Sequence, residues 1–165
     1  MRVVYSMGSN LGDRLRHLQS AVAGLESDDL RLIAVSPVYE TEPWGVVGHP
    51  DYLNVVAVYE ADDAIDPQDL LRRGLRLEDA AGRERDGTVA PRPLDVDLIA
   101  AGEREVAGAE LTLPHPRAHL RGFVLVPWSE ADPAGHLPGH GAVPALAAAV
   151  GREGLTARPD LVVAP

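Results

Sequence analysis

The chain has 165 residues, no cysteine and a net charge of −10. This length fits a single domain over residues 1–165. The charge argues against general affinity for nucleic acid or an anionic membrane, and the lack of cysteine excludes disulfides and thiolate chemistry. No apolar run approaches the roughly 18 residues of a membrane span, and the N-terminus shows no signal-peptide pattern. These features predict a cytoplasmic protein.

The positive charge consists of arginine alone. Lysine is absent, and nine of the 15 arginines fall between Arg72 and Arg121. Without lysine the chain has no P-loop, no kinase-type ATP lysine and no Schiff base. The missing lysine can reflect genomic composition, but nine clustered cations in an acidic protein favour an anionic ligand, because guanidinium groups bind phosphate oxygens in pairs.

Periodicity and turn residues divide the chain into short elements. In chain order they are a strand over 2–7, a helix over 13–25, strands over 30–39 and 51–60, a helix over 66–81, a polar arginine-rich loop over 82–93, a strand over 94–100 with a hairpin partner around Val106, a strand over 122–126, and a helix over 144–150. Gly151 ends the last helix, and we expect the tail beyond it to be poorly ordered. This order predicts an α+β fold.

Asp95 and Asp97 alternate with Leu94, Val96 and Leu98 along one predicted strand. Residues i and i+2 of a strand project from the same face, about 7 Å apart. Two carboxylates held together on an apolar strand favour a bound cation, such as a pair of magnesium ions. A solvent-exposed strand face explains the same pattern without a metal.

Two further groups of residues have the chemistry of a binding site. His115 stands between two prolines, close to Arg117 and Arg121, and with other arginines it could clamp a polyphosphate. Tyr52 and Asn54 share one strand face, and Phe123 is the only phenylalanine, so a flat heterocycle could stack on the rings and bond to the amide. Ordinary core roles remain open for the histidine and the aromatic rings.

Taken together, five motifs in register resemble one family. The motifs are Gly8-Ser9-Asn10-Leu11-Gly12, Ser36 to Gly45, Pro50 to Asn54, Arg92 to Asp97, and Leu113 to Arg117 followed by Arg121-Gly122-Phe123. Their order and spacing are similar to those of the 6-hydroxymethyl-7,8-dihydropterin pyrophosphokinases. Segment 88–93 departs from that family, because the tryptophan and one arginine usual there are missing.

The resemblance implies a fold, cofactors and site residues. The fold would be a three-layered αβα sandwich with a mainly antiparallel central sheet, related to the ferredoxin-like topology, and the protein a monomer. Asp95 and Asp97 match the residues that hold two magnesium ions. The pterin positions are Thr41, Trp44, Tyr52, Asn54 and Phe123. The nucleotide positions are Glu78, Arg83, Arg85, Arg92, Leu98, Thr112, His115 and Arg121.

The implied reaction is a diphosphate transfer in folate biosynthesis. The hydroxymethyl oxygen of 6-hydroxymethyl-7,8-dihydropterin would attack the β-phosphorus of ATP and release AMP, with Asp95, Asp97, Arg83 and Arg92 as the catalytic residues. Two other functions fit some of the same residues. A two-metal nucleotide or phosphodiester hydrolase would use the same aspartates but need no pterin. A ferredoxin-like small-molecule sensor would bind a ligand without magnesium-dependent turnover.

Overall fold

A computed structural model of the chain describes residues 1–164 except 44, 46, 86 and 88. The strands in this part of the chain are β1 (Arg2–Ser9), β2 (Leu30–Val35), β3 (Tyr39–Thr41), β4 (Tyr52–Ala61), β5 (Asp95–Ala101), β6 (Val106–Ala107), β7 (Thr112–Leu113), β8 (His136–Leu137), β9 (Gly141–Ala142) and β10 (Leu155–Ala157). The helices are α1 (Arg14–Leu25), α2 (Pro67–Ala80), α3 (Gly122–Ala131) and α4 (Val143–Val150), with a short 3-10 turn at Ala118–Leu120.

Six strands form the central sheet, in the order β10-β3-β4-β1-β5, with β2 also paired to β4. Every pair in this sheet is antiparallel. The long strand β4 pairs with β1 along one side and with β3 and β2 in succession along the other. Strand β1 therefore lies between β4 and β5 and is hydrogen-bonded on both sides.

The two faces of the sheet bury separate clusters of apolar side chains. On one face, Tyr5 and Met7 of β1 pack with Leu18 of α1 and Leu70 of α2. On the other face, Val4 of β1 and Val58 of β4 pack with residues of α3 and α4 such as Leu125 and Ala147. Helices thus cover both faces, which confirms the predicted α+β class and the three-layered αβα sandwich with an antiparallel sheet.

Three helix ends show local capping features, of which the stop at Gly151 was predicted from the sequence. The Asp13 carboxylate accepts a hydrogen bond from the Arg16 N–H at 3.1 Å and starts α1. The Asp66 carboxylate accepts from the Gln68 N–H at 2.9 Å, with Pro67 in the first helical position of α2. Gly151 ends α4 with a φ of 81°, which a residue with a side chain rarely adopts.

The predicted strand over 30–39 is two strands. Residues 36–38 separate β2 from β3, so the single-strand prediction is wrong in this stretch. The Ser36 hydroxyl accepts a hydrogen bond from the Val56 N–H at 2.9 Å, and the Ser36 N–H donates to the Val56 carbonyl. The Ser36 hydroxyl thus accepts the Val56 N–H in place of a backbone carbonyl of the neighbouring strand. The regular ladder stops here because the next residue, Pro37, has no N–H.

The prediction of a strand over 122–126 is also wrong, because these residues begin helix α3. Val124, Leu125, Val126 and Trp128 are all buried, so the helix has no polar face to give a 3.6-residue period. A short continuous apolar run fits a buried strand and a buried helix equally well. Phe123 consequently lies at the start of a helix rather than on a strand.

Val106 does not pair with β5 as the sequence predicted. Strand β6 pairs with β7, with Val106 opposite Leu113 and Ala107 opposite Thr112. A second turn makes this possible, in which the Gly108 N–H donates to the Leu111 carbonyl at 2.9 Å. The turn residues after β5 were visible in the sequence, but the identity of the pairing partner was not.

The segment beyond Gly151 was expected to be poorly ordered. In the structure it adds β10 to the edge of the central sheet, where Leu155 pairs with Thr41 and Ala157 with Tyr39. Val163 then returns to the apolar core and is 5% exposed. Among the described residues, every helix falls short of the length and apolar character that crossing a membrane requires.

Candidate active site

The sheet register brings the predicted pterin and metal residues into adjacent rows. Gly8 of β1 pairs with Asn54 of β4 on one side and with Asp95 of β5 on the other. Two residues back along β1, Ser6 pairs with Asp97. Residues directly opposite in an antiparallel sheet point to the same face, and neighbouring strands lie about 4.8 Å apart. The amide of Asn54 and the two carboxylates therefore lie on the same face of the sheet, and strand β1 separates the strands that carry them.

Asp95 and Asp97 share a face, as their spacing predicted. Val96 and Leu98 are buried in the core beneath the sheet, at 5% and 4% exposure. The side chains of Asp95 and Asp97 keep 30% and 33% of their surface exposed and line an open cleft on the opposite face. Successive side chains of β5 thus point in opposite directions, the apolar ones toward α1 and α2 and the acidic ones toward the cleft.

The cleft has a volume of about 320 Å³ and gathers residues from most of the predicted set. The predicted residues that line it are Thr41, Tyr52, Asn54, Arg83, Arg92, Asp95, Asp97, His115, Arg121 and Phe123. A second depression of about 340 Å³ adjoins it and is lined by Glu78, Leu98, Thr112 and His115 among others. Both aspartates and Arg83 border the two cavities, so the carboxylates stand at their junction.

Arginines surround the two carboxylates. Arg83 Nη1 lies 2.6 Å from Asp95 Oδ1, and Arg92 Nη1 lies 3.6 Å from the same oxygen. Arg121 Nη1 lies 3.1 Å from Asp97 Oδ2. Without these guanidinium groups two neighbouring carboxylates on one strand would repel each other. The same groups point into the cleft, where an anionic ligand would meet them.

The environment of Asp97 disfavours its negative charge. Burial raises the pKa of Asp97, and the charge of Asp95 raises it further, while His115 and Arg121 act in the opposite direction. His115 Nε2 lies 4.0 Å from Asp97 Oδ2. Burial also lowers the pKa of His115. A cation in the cleft would stabilise the ionised form of Asp97.

Glu78 and Arg85 occupy a supporting layer beside the cleft. Glu78 is 3% exposed, accepts the Val96 N–H at 2.7 Å and accepts Arg83 Nη1 at 2.5 Å. Glu78 thereby fixes both the backbone of β5 and the guanidinium that contacts Asp95. Burial raises the pKa of Glu78. Arg85 binds Glu78 and Asp79 and borders neither cavity, so the structure does not bring it into the site.

The pterin positions form the other end of the cleft. Asn54 Nδ2 donates to Thr41 Oγ1 at 2.8 Å, and Asn54 is only 4% exposed. Tyr52 lies on the same face of β4, and Phe123 enters from the first turn of α3, with Arg121 Cζ 5.5 Å from its ring centroid. Trp44, the fifth predicted position, lies outside the described residues.

The predicted site residues omit seven that line the cleft, namely Ser6, Gly8, Glu42, Pro43, His49, Val89 and Arg117. Gly8 is needed because the side chains of Tyr52 and Asn54 lie across it. A polar run after a strand, Gly8-Ser9-Asn10, marked this end of β1 in the sequence. The sequence did not show that Gly8 lies between the strand that carries Asn54 and the strand that carries Asp95. This position follows only from the pairing of β1 with β4 and β5.

Comparisons with known proteins agree on one family. The model of the family described as 7,8-dihydro-6-hydroxymethylpterin-pyrophosphokinase (HPPK) matches residues 4–133. A protein of Mycobacterium leprae named 2-amino-4-hydroxy-6-hydroxymethyldihydropteridine pyrophosphokinase is 50% identical over 141 residues, covering 79% of this chain and 72% of that protein. A protein of the same name from Pseudomonas aeruginosa is 36% identical over 159 residues, covering 96% of this chain and 97% of its own length.

Solved structures show the same fold. A crystal structure of wild-type Plasmodium falciparum HPPK-DHPS with SDX-DHP superimposes with a TM-score of 0.65 at 12% identity and covers 94% of this chain. This chain spans only 47% of that longer protein. The extent of the family match and the identity to the bacterial relatives lead to one conclusion: the chain belongs to the 7,8-dihydro-6-hydroxymethylpterin-pyrophosphokinase family.

Proposed function

We propose that this protein transfers the β,γ-diphosphate of ATP to the hydroxymethyl group of 6-hydroxymethyl-7,8-dihydropterin and releases AMP, as a step of folate biosynthesis. The observation that carries the proposal is the row of Asn54, Gly8 and Asp95 across three strands. It sets an amide and two aromatic rings beside a carboxylate pair and four arginines within one cleft. Membership of the family supports the same reaction.

The ring of the pterin would occupy the end of the cleft formed by β3, β4 and α3. Tyr52 and Phe123 offer faces for stacking, and the buried amide of Asn54, held by Thr41, offers hydrogen bonds to the ring edge. The nucleotide would occupy the adjoining depression, where Leu98, Thr112 and His115 form part of the wall. Asp95 and Asp97 would then lie between the hydroxymethyl group and the phosphates.

Asp95 and Asp97 are the residues that would hold two magnesium ions. Their oxygens are the hard ligands that magnesium prefers, and both face the cleft. In the described part of the chain no group of three or more acidic, histidine or cysteine side chains forms a cation site. Magnesium commonly binds through one or two carboxylates together with substrate phosphates, so the pair fits. Bound there, the ions would offset phosphate charge and lower the pKa of the attacking alcohol.

The arginines would position the transferred group and compensate its charge. The pterin hydroxymethyl oxygen forms a bond to the β-phosphorus, and the bond from that phosphorus to the oxygen bridging to the α-phosphate breaks. AMP leaves with that oxygen and its electron pair, and the hydroxyl proton passes to water. Such transfers depend mainly on alignment and charge stabilisation. Arg83 and Arg92 lie beside Asp95, and Arg121 lies beside Asp97, so each is close enough to contact the moving diphosphate.

The test measures AMP release with and without pterin and magnesium. We expect AMP to form only when ATP, pterin and magnesium are all present. Asp97→Ala should lower turnover by about a hundredfold or more with little loss of folding, because the site loses a charge aimed at the reacting groups. Asp69→Ala, which removes an exposed carboxylate of α2 paired with Arg72, serves as the matched control and should keep full turnover.

Three outcomes would contradict the proposal or the roles assigned in it. AMP or phosphate release from ATP without pterin would instead favour a two-metal hydrolase using the same aspartates. Pterin binding with no magnesium-dependent turnover would favour a small-molecule sensor. A well-folded Asp97→Ala protein that makes normal amounts of AMP would exclude the assigned role of the carboxylate pair.

We further propose that residues 1–165 act as one catalytic domain, in monomeric form and in the cytoplasm. The absence of cysteine and the acidic composition support an intracellular location without nucleic-acid or membrane partners. The resemblance to the pyrophosphokinases supports the monomer. Light scattering across a concentration series tests this point, and a mass of twice 17.6 kDa would contradict it.

A further inference from the structure

Asn10 makes hydrogen bonds to two loops that approach the cleft from opposite sides. It directly follows β1, is 2% exposed and does not line the cleft. Its side-chain Oδ1 accepts the Arg92 N–H at 2.7 Å, and its Nδ2 donates to the Pro50 carbonyl at 3.1 Å. Its backbone N–H donates to the Arg92 carbonyl at 3.2 Å.

The two loops supply residues to different ends of the cleft. The loop that leads into β4 contains Pro50 near its end and carries Pro43 and His49, which line the pterin end. The loop that leads into β5 carries Arg92, beside Asp95. Strand β1 is hydrogen-bonded on both sides, to β4 and to β5, which holds it in place within the sheet. Asn10 therefore fixes both loops to one strand.

The bonding pattern requires an asparagine side chain. One planar group must accept from Arg92 and donate to Pro50, and only an amide of this length offers both. Aspartate keeps the acceptor for the Arg92 N–H but turns a second acceptor toward the Pro50 carbonyl. Leucine has nearly the same shape and offers neither. Asn10→Asp therefore removes the contact with Pro50 alone, and Asn10→Leu removes the side-chain contacts with both Pro50 and Arg92.

We propose that Asn10 is a positioning residue that sets the separation of the two loops and so aligns the pterin pocket with Arg92 at the phosphates. This inference rests on the proposed function. It assigns Asn10 no contact with substrate: the residue acts on the pterin end through Pro50 and on the phosphate end through the backbone of Arg92.

The experiment compares Asn10→Asp, Asn10→Leu and a matched control. Ser9→Ala is the control, because Ser9 is fully buried next to Asn10 and its hydroxyl has no hydrogen-bond partner among the described residues. Asn10→Asp should raise the KM for pterin about tenfold with the KM for ATP little changed, since only the Pro50 contact is lost. Asn10→Leu should raise both KM values and lower kcat about tenfold or more. Ser9→Ala should resemble the original protein.

Hydrogen exchange gives a readout that is independent of activity. The Arg92 amide should exchange as slowly in Asn10→Asp as in the original protein, because its acceptor remains. In Asn10→Leu it should exchange at least about tenfold faster, since its acceptor is gone. This measurement decides the structural part of the inference even if the original protein proves to release no AMP, a result that would refute the proposed function alone.

Three results would overturn the inference. One is unchanged protection of the Arg92 amide in Asn10→Leu. Another is an equal rise in both KM values for Asn10→Asp. The third is a loss of turnover in Asn10→Leu that merely follows a lower Tm, with both KM values unchanged, since that pattern indicates a structural role only.

Discussion

Replacing Gly8 by alanine should weaken pterin binding while leaving the nucleotide site nearly intact. A Cβ on Gly8 would lie 3.0 Å from Asn54 Oδ1 and 3.2 Å from Tyr52 Cδ1, closer than ordinary van der Waals contact. The backbone of Gly8 is extended within β1, so alanine meets no backbone strain there. The perturbation is therefore steric and is directed at two of the pterin positions.

The size of the effect follows from these contacts. Relief of the overlap requires Asn54 to shift by a few tenths of an ångström, which disturbs its 2.8 Å bond to Thr41 Oγ1. A hydrogen bond of this kind contributes about 0.5–1.5 kcal/mol, and overpacking typically costs about 1–3 kcal/mol. We expect the Kd for pterin to rise about tenfold, which corresponds to 1.4 kcal/mol.

The assay is calorimetric titration of pterin in the presence of a non-hydrolysable ATP analogue, with the analogue titrated separately. Gly24→Ala is the control, because its added Cβ would meet only the flexible end of Leu77 between α1 and α2, on the other face of the sheet. The reasoning is refuted if Gly8→Ala binds pterin as tightly as the original protein, or if the analogue loses affinity to the same extent.

Three further predictions concern other parts of the molecule. Leu18→Ala should lower the free energy of unfolding by about 2–5 kcal/mol in denaturant titrations, because Leu18 is fully buried. Arg73 holds the pKa of Asp29 well below its usual range. Asp29→Asn should therefore be less stable at pH 7 by up to about 1 kcal/mol. The difference should begin to shrink only below about pH 4 and disappear as the pH falls through the lowered pKa of Asp29, where the original protein loses the pair. Phe123→Ala should weaken pterin binding by about 1–3 kcal/mol, with analogue binding unchanged in the same calorimetric titration.

Local interactions made several features readable from the sequence. The caps at Asp13 and Asp66 involve residues two or three positions apart, so the starts of α1 and α2 follow from neighbouring side chains. The shared face of Asp95 and Asp97 follows from the two-residue period of a strand. None of these features depends on which distant segment lies alongside.

Other features could not be predicted from the sequence, because they leave no periodic pattern of polar and apolar residues. The first seven residues of helix α3, 122–128, carry no polar side chain because they pack between the sheet and α4, so Phe123 was assigned to a strand. The division of β2 from β3 depends on the Ser36 hydroxyl bonding to Val56, 20 residues away. Such contacts leave no periodic pattern in the sequence.

The sequence by itself determined the α+β class, the starts of α1 and α2 and the common face of the two carboxylates, because each depends on spacing within one element. The tertiary structure alone decided that Gly8 separates Asn54 from Asp95 and that Asn10 binds the loops on both sides of the cleft. The physical reason is that strand register is fixed by how apolar faces and turns fit together across the whole sheet. Residues 40 or more positions apart become neighbours only when that register is set.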